Sequence, residues 1–412
     1  DFHPVLRGDW SEQDAPYIFT GMAAPPMPRR SPRPGATPAS ADEAPPAALS
    51  FVPLHERALK GRGTAWSIAH RFERDAREAF DDGWGTLEAE AGGLRSAPRT
   101  EFARERAVSI VAHNDSPDLG FDASINPYRG CEHGCVYCYA RPTHGFLGLS
   151  PGLDFETRIV AKVNAAERLR ATLAARSYRP LPFNIGSATD AYQPIERRLR
   201  LTRGVLEVLA ETQHPFWIVT KSSLVERDLD LIAPMAARNL AAVVVSLTTL
   251  DAGLARILEP RAAAPQRRLR TIETLARAGV PVGVSVSPLI PFVNEPELER
   301  VLAAARGAGA TSAFAIVLRL PWEVSPLFRQ WLQTHFPERA ARVMARVQEM
   351  RGGRDNDPRF GTRFVGEGVW ASLLQQRIEK TCARLGYDDG RRELDSTQFR
   401  PPVLDARQGR LF

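Results

Sequence analysis

Three cysteines fall within eight residues, Cys131, Cys135 and Cys138, in the segment Asn126-Pro127-Tyr128-Arg129-Gly130-Cys131-Glu132-His133-Gly134-Cys135-Val136-Tyr137-Cys138-Tyr139. Thiols spaced Cys-x3-Cys-x2-Cys in a glycine-bearing loop are metal ligands, and the pattern does not describe the disulfide framework of a secreted protein. Three thiolates on a 4Fe-4S cluster leave one iron without a protein ligand, whereas a cluster that only carries electrons is closed by four cysteines. The open iron can chelate the amino and carboxylate groups of S-adenosylmethionine and set its sulfonium beside the cluster. One-electron reduction then splits a carbon–sulfur bond, and the resulting carbon radical abstracts a substrate hydrogen. The cofactor carries that chemistry; the protein supplies aim and dryness. The competing reading is a structural zinc site with His133 or His144 as fourth ligand, although zinc sites favour paired Cys-x2-Cys knuckles and no second pair is present. Cys382 is a distant fourth cysteine in a predicted C-terminal helix, where a small buried hydrophobe is the expected role.

Such a loop needs a scaffold that holds it at one rim. After Phe121, short β-branched runs alternate with amphipathic helical stretches, the pattern of a parallel sheet with crossover helices. The predicted strands are Phe121–Asn126, Pro182–Ser187, Phe216–Lys221, Ala242–Leu247, Val282–Ser287 and Ala313–Leu318. The predicted helices are Glu156–Ala175, Leu201–Thr212, Glu226–Ala236, Arg267–Ala278, Pro296–Gly307 and Pro326–Thr334, with Gly279 and Pro281 as punctuation. Repeated βα units without a Gly-rich dinucleotide fingerprint after the first strand point to an α/β fold, a partial (β/α)6 barrel with an N-terminal extension and C-terminal helices. Barrel chemistry sits at the C-terminal ends of strands, and the cysteine loop directly follows the first of them.

The rest of the chain divides by composition. Residues 1–53 include eight prolines between Pro25 and Pro46 and are expected to be poorly ordered. The chain begins at Asp1, and no function is placed on its opening residues. Residues 54–106, with a helical pattern around Phe72, Ala76 and Phe80, form a preamble or collar; 107–335 are the barrel, 336–398 a C-terminal helical region and 399–412 an exposed tail. The net charge of +6 suits a polyanion, but with 54 basic residues of which only Lys60, Lys162, Lys221 and Lys380 are lysines, the excess reads equally as a compositional bias towards Arg. No run is apolar enough to cross a bilayer and no secretory leader is recognisable, so the expectation is a soluble, cytoplasmic protein with no membrane partner.

From about Ala107 to Leu332 the wording resembles the radical S-adenosylmethionine superfamily, and within it the spore photoproduct lyase-like branch (DNA repair photolyase-like) with its bacterial relatives. The resemblance rests on Asn126 to Cys131, Phe155-Glu156-Thr157, Thr189-Asp190-Ala191-Tyr192-Gln193-Pro194, Thr220-Lys221-Ser222 and Glu259-Pro260-Arg261. It implies a 4Fe-4S cluster on Cys131, Cys135 and Cys138, and S-adenosylmethionine held by polar groups at strand ends: Thr189, Asp190, Lys221 and Ser246. Lys221 suits a carboxylate, its bland alternative being a surface lysine. Tyr137 is expected at the adenine edge through its backbone, and Tyr139 either relays a hydrogen atom or packs on the cluster. Lys162 is expected to be a solvated charge on the helix after the loop.

The resemblance fails at one point. Spore photoproduct lyase has a hydrogen-donating cysteine just before the Thr189 position, where this chain reads Gly186-Ser187-Ala188, and an O–H bond is too strong for Ser187 to replace it readily. Cys382 substitutes only if its helix covers the barrel mouth. The C-terminal Gln408-Gly409-Arg410-Leu411-Phe412 resembles the peptide by which replication and repair proteins dock on the sliding clamp, with a frayed tail as the alternative. The leading expectation is therefore a radical enzyme acting on DNA or another nucleic acid, reduced by a flavodoxin- or ferredoxin-type partner. The others are a radical enzyme modifying a peptide, tRNA or metabolite, and a non-enzymatic, zinc-stabilised nucleic-acid binding protein.

Overall fold

The computed structural model describes residues 51–53, 59–73, 98–388 and 392–402. The stretch 25–46, Ala76, Phe80 and the tail residues Gln408, Leu411 and Phe412 lie outside these described residues. The main sheet contains β1 (Val111–His113), β2 (Ala123–Ile125), β3 (Phe183–Ile185), β4 (Phe216–Thr220), β5 (Ala241–Ser246), β6 (Val282–Leu289) and β7 (Ser312–Val317). β2 to β7 run parallel and lie side by side in chain order, while β1 pairs antiparallel with the free edge of β2. Each expected strand is present, and the result is an open α/β barrel sector.

Every residue of β5, Ala-Ala-Val-Val-Val-Ser, is buried. A parallel strand covered on both faces reads as a continuous apolar run because neither face meets water. Helices α1 (Ala165–Leu173), α2 (Leu201–Glu211), α3 (Leu229–Ala237), α4 (Pro265–Arg277) and α5 (Leu298–Gly307) alternate with these strands. In α5 the buried positions Leu298, Val301, Leu302 and Ala305 follow the i, i+3, i+4, i+7 spacing of a single apolar stripe. α4 starts on Pro265 at its first turn and ends at Gly279, whose φ of +75° allows the N–H groups of Gly279 and Val280 to close on Ala276 O (3.0 Å) and Leu275 O (3.1 Å). Pro281 then releases the chain into β6.

The expected helix Glu156–Ala175 is corrected. Asp154–Thr157 is one short helical turn, Arg158–Lys162 is a strand, and α1 begins only at Ala165. That strand lies between Glu101–Glu105, parallel, and Tyr128–Arg129, antiparallel, forming a side sheet that the sequence reading did not anticipate. Ile159 and Ala161 are buried while Arg158 is exposed, a period of two that the neighbouring helix pattern masked. The break is enforced by Asn164, whose side chain bonds both Ala107 N and Ala107 O at 2.9 Å. Lys162 is consequently a half-buried strand residue and not a helix charge; burial, with Arg129 adding, lowers its pKa to about 8 against the pull of Glu105.

Beyond β7, α6 (Val324–His335) and α7 (Pro337–Glu349) form a cluster in which Phe328, Trp331, Val343 and Val347 pack with Cys135, Val136 and Tyr137. α8 (Gly368–Leu385) rests on α5 and β7, with Arg377 paired to Glu295 and Glu299. Among the described residues no helix is long and apolar enough to cross a membrane.

One buried histidine makes the fold pH-sensitive. His214 stacks on Phe183 at 4.3 Å; its Nδ1 donates to Pro215 O (3.0 Å) and its Nε2 accepts from Tyr178. Burial lowers its pKa to about 4, outweighing the Pro215 carbonyl. A lowered histidine pKa means the unfolded chain binds the proton more readily, so this contribution is present above the unfolded value of about 6.5 and lost as pH falls towards 4. Between pH 7 and pH 5 it amounts to about 2 kcal/mol. Urea unfolding of wild type and His214→Gln at both pH values checks this: the variant should show the shallower pH dependence, and equal slopes would refute it.

Candidate functional site

The cysteine loop runs from the end of Tyr128–Arg129 into the 3-10 helix Arg141–Leu147. Its turns use Gly130 (φ +74°) and Gly134 (φ +67°), and a Cβ on Gly134 would lie 2.7 Å from the Glu156 carboxylate. Gly63 from the N-terminal segment presses on the same turn: a Cβ there would lie 1.7 Å from Gly134 O. The backbone is anchored through Cys131 N to Phe155 O (2.9 Å), Val136 N to Leu258 O (3.2 Å) and Arg261 N to His133 O (3.3 Å).

Two side chains lock this path. Arg141, fully buried, donates to Cys135 O (2.9 Å), Gly134 O (3.2 Å), Pro151 O (3.2 Å) and Gly152 O (2.8 Å), and pairs with Glu156. Glu156 also accepts from Gly63 N at 2.9 Å. Gln193 straddles Cys131, donating to Gly130 O (3.1 Å) and accepting from Glu132 N (3.0 Å). A guanidinium that spends its fork on main-chain carbonyls and one carboxylate holds a loop more rigidly than any apolar residue of its size.

The loop faces a cavity of about 930 Å³, including its solvent-open part, at the C-terminal ends of the parallel strands. Cys131, Cys135, Cys138, Tyr137, Tyr139, Thr189, Asp190, Lys221 and Ser246 all line it, so the structure brings the sequence-predicted site residues together. Cys382 and His144 are not among the lining residues. Cys382 packs against the barrel core from α8, and His144 Nε2 donates to Arg158 O at 3.0 Å. Burial pushes the Cys131 thiol well up, with Asp190 and Cys135 adding to the shift. Among the described residues, no group of three or more His, Cys, Asp or Glu side chains is arranged to hold a single metal ion. Three thiols lining one cavity suit a multi-iron cluster, in which each sulfur takes its own iron.

The polar residues divide into those committed to the scaffold and those open to a ligand. Asp190 is committed. Its Oδ1 accepts from Tyr192 N and Thr220 Oγ1, both at 2.8 Å, and its Oδ2 accepts from Lys221 N (2.7 Å) and stands 3.2 Å from His133 Nδ1. Burial alone would raise its pKa, but His133 and these donors bring it to about 2. Thr189 Oγ1 donates to Tyr128 O at 3.1 Å. Lys221 has no hydrogen-bond acceptor for Nζ among the described residues; the ammonium stands 5.9 Å from the Tyr137 ring centroid, and burial is outweighed by Cys135 and Glu259 so that its pKa is raised. The Tyr137 hydroxyl donates to Glu259, which leaves the Tyr137 backbone as the part nearest its expected role. Tyr139 donates to Ser187 O, and burial raises its pKa so that it keeps its proton.

Several residues of the site went unassigned in the sequence. Glu259 accepts from Thr248 Oγ1 (2.8 Å), Tyr137 and Arg268, and despite burial its pKa falls to about 2 under Arg268 and Lys221. Glu156, Gln193 and Glu259 stand inside motifs already singled out, so a signal existed for them. Arg141, Ser285, Ser287 and Arg319 carried none: a serine in a strand or one arginine among fifty looks like any other.

The model of the radical SAM superfamily matches residues 125–305. Proteins of Mycobacterium bovis and Mycobacterium tuberculosis, both uncharacterised, are 38% identical over 226 residues, covering 54% of this chain and 66% of theirs. An uncharacterised protein of Methanocaldococcus jannaschii is 27% identical over 218 residues, covering 52% of this chain and 76% of its own. Among solved structures, spore photoproduct lyase in complex with dinucleoside spore photoproduct aligns with a TM-score of 0.50 at 18% identity, covering 72% of this chain and 86% of that one. A tyrosine-to-phenylalanine mutant of the same enzyme gives 0.51 at 16% over the same shares. At these identities the likeness is one of fold.

Proposed function

Because residues 125–305 carry a radical SAM domain, we propose that Cys131, Cys135 and Cys138 hold a 4Fe-4S cluster beside bound S-adenosylmethionine, and that the enzyme abstracts hydrogen from a nucleic acid in a repair-like reaction. The observation that carries this reading is the convergence of the three thiols with Tyr137, Tyr139, Thr189, Asp190, Lys221 and Ser246 on a single cavity. When bound, the pair supplies a 5′-deoxyadenosyl radical through one-electron cleavage of the sulfonium.

The chain's residues supply position. Lys221 offers an uncommitted ammonium next to Cys135, suited to a carboxylate, and Ser246 a hydroxyl one strand further. Tyr137 presents main-chain groups between two cysteines while its ring is tied to Glu259. Asp190 orders the ends of β3 and β4 and acts as a positioning residue, a narrower role than direct cofactor binding. Tyr139 holds its proton at Oη, bonded to Ser187 O on the cavity wall, where it can return a hydrogen atom to a substrate radical, the tyrosyl radical left behind being restored by one electron from the reductant and a proton from solvent. Val219, Ile316 and Phe364 add apolar surface to the cavity lining and displace water.

The nucleic-acid reading is supported by the fold likeness to an enzyme solved with a dinucleoside photoproduct. Ser187 on the cavity wall and Cys382 away from it favour a reaction other than spore photoproduct repair, and leave a peptide, tRNA or metabolite substrate as the second reading. A flavodoxin- or ferredoxin-type reductant in the reducing cytoplasm completes the proposal, with clamp docking through Gln408, Leu411 and Phe412 as its link to DNA. Anaerobic purification followed by metal analysis tests it. About four iron and four sulfide per chain are expected; one zinc without sulfide would overturn the radical reading altogether.

A further inference from the structure

Arg319 follows β7 directly and lines the cavity beside Ser285, Ser287, Tyr139 and Phe364. Its guanidinium carbon stands 5.0 Å from the Phe364 ring centroid, its Nε is buried without a hydrogen-bond partner, and none of its nitrogens finds an acceptor among the described residues. Ser287, on the neighbouring strand β6, has a buried Oγ that is likewise unpartnered. Asp118, the carboxylate that acts on it electrostatically, is committed to Arg363 and to Gly361 N at 3.1 Å. Burial lowers the Arg319 pKa to about 9, and Arg363 and Arg351 lower it further than Tyr139 and Asp118 restore. Buried donors left unpaired are costly, and two of them aimed into one cavity mark a place where a ligand completes the hydrogen bonds.

We infer that Arg319 and Ser287, backed by Phe364, form an anion subsite for a backbone phosphate of the nucleic-acid substrate, a role that rests on the nucleic-acid reading above. Position separates this subsite from the cofactor's own. S-adenosylmethionine brings one carboxylate, and Lys221 already stands by Cys135 for it. Arg319 lines the same cavity past β7, three strands along the sheet from β4, and with Asp118 committed to Arg363 its donors lack an acidic partner among the described residues, which a second anion would supply. Guanidinium stacked on an aromatic ring keeps its N–H edge in plane, the arrangement that forks onto a phosphate and leaves an adjacent face for a base.

The test uses the full chain, anaerobically prepared, with fluorescein-labelled hexathymidylate and inorganic pyrophosphate as probes. For Arg319→Met, hexamer affinity should fall about tenfold, and the logarithmic salt slope should become shallower by about 0.7, the signature of one lost phosphate contact on a single strand. Unchanged affinity and slope would overturn the inference. Arg319→Lys, which keeps the charge but not the fork, should bind about threefold more weakly with the slope retained; it carries the test if the methionine variant does not fold, and wild-type affinity in it overturns the subsite. Pyrophosphate distinguishes the two levels of the proposal through thermal shift. If wild type ignores the hexamer but pyrophosphate stabilises it and not Arg319→Met, the subsite stands and the nucleic-acid reading falls. If neither ligand separates wild type from Arg319→Met, the subsite is refuted.

Discussion

Cys135→Ala is expected to fold but to form no 5′-deoxyadenosine above the cofactor-free background when reduced with dithionite and supplied with S-adenosylmethionine. Burial pushes the Cys135 thiol up to about 12, Lys221 pulling against it and Glu259 with it, so in the empty protein this residue is a protonated, inert, packed group. Its removal deletes one small side chain from a cluster that includes Val136, Tyr137, Leu258 and Trp331, a loss of about 1 kcal/mol. The same deletion takes away one of the three proposed cluster ligands, and three is already the minimum that leaves a single iron open. Circular dichroism, iron content and product analysis on one preparation check the prediction. Product formation that survives the substitution contradicts the cofactor assignment, and an unfolded variant contradicts the packing argument.

Arg141→Met has the largest expected effect on stability. The substitution keeps the volume of a fully buried side chain but removes donors to four main-chain carbonyls and leaves Glu156 without its cation. Burial already raises the Glu156 pKa with Arg141 in place. Removing one partner of a buried ion pair costs about 3–5 kcal/mol, because the remaining charge is stranded away from water. For a unit of this size that corresponds to a fall of roughly 6 °C in Tm. Arg141→Met with Glu156→Gln should recover part of the loss, since the pair is coupled and the amide buries more cheaply than a carboxylate. Thermal unfolding of the two variants and wild type reads this directly. A loss below about 1 kcal/mol for Arg141→Met would mean that the loop is held by its glycine turns and backbone contacts alone.

The comparison of loop and scaffold shows how unevenly information is spread along the chain. Cys131, Cys135 and Cys138 could be read for their chemistry because ligand spacing within one loop is a local property. Thr189, Lys221 and Ser246 could be placed at one rim because parallel strands connected by helices all end on the same side. Asp190 shows the limit of that reasoning. Its position on the rim was foreseen, but its occupation by Tyr192, Thr220, His133 and the Lys221 backbone was not. Lys162 shows a different limit, since two periodicities met within a few residues and the longer one obscured the shorter.

What the amino-acid sequence by itself determined was the spacing of the three cysteines, the βα alternation and the helix stops, each encoded by residues within a few positions of one another. Only the tertiary structure decided which charges are paired. Arg141 meets Glu156 across 15 residues, Gln193 meets Glu132 across 61, Tyr137 meets Glu259 across 122, and the buried Arg319 Nε finds no hydrogen-bond partner among the described residues. The physical reason is that a charged side chain acquires its role from burial and from the partners that burial brings within about 3 Å, and neither quantity is periodic in sequence.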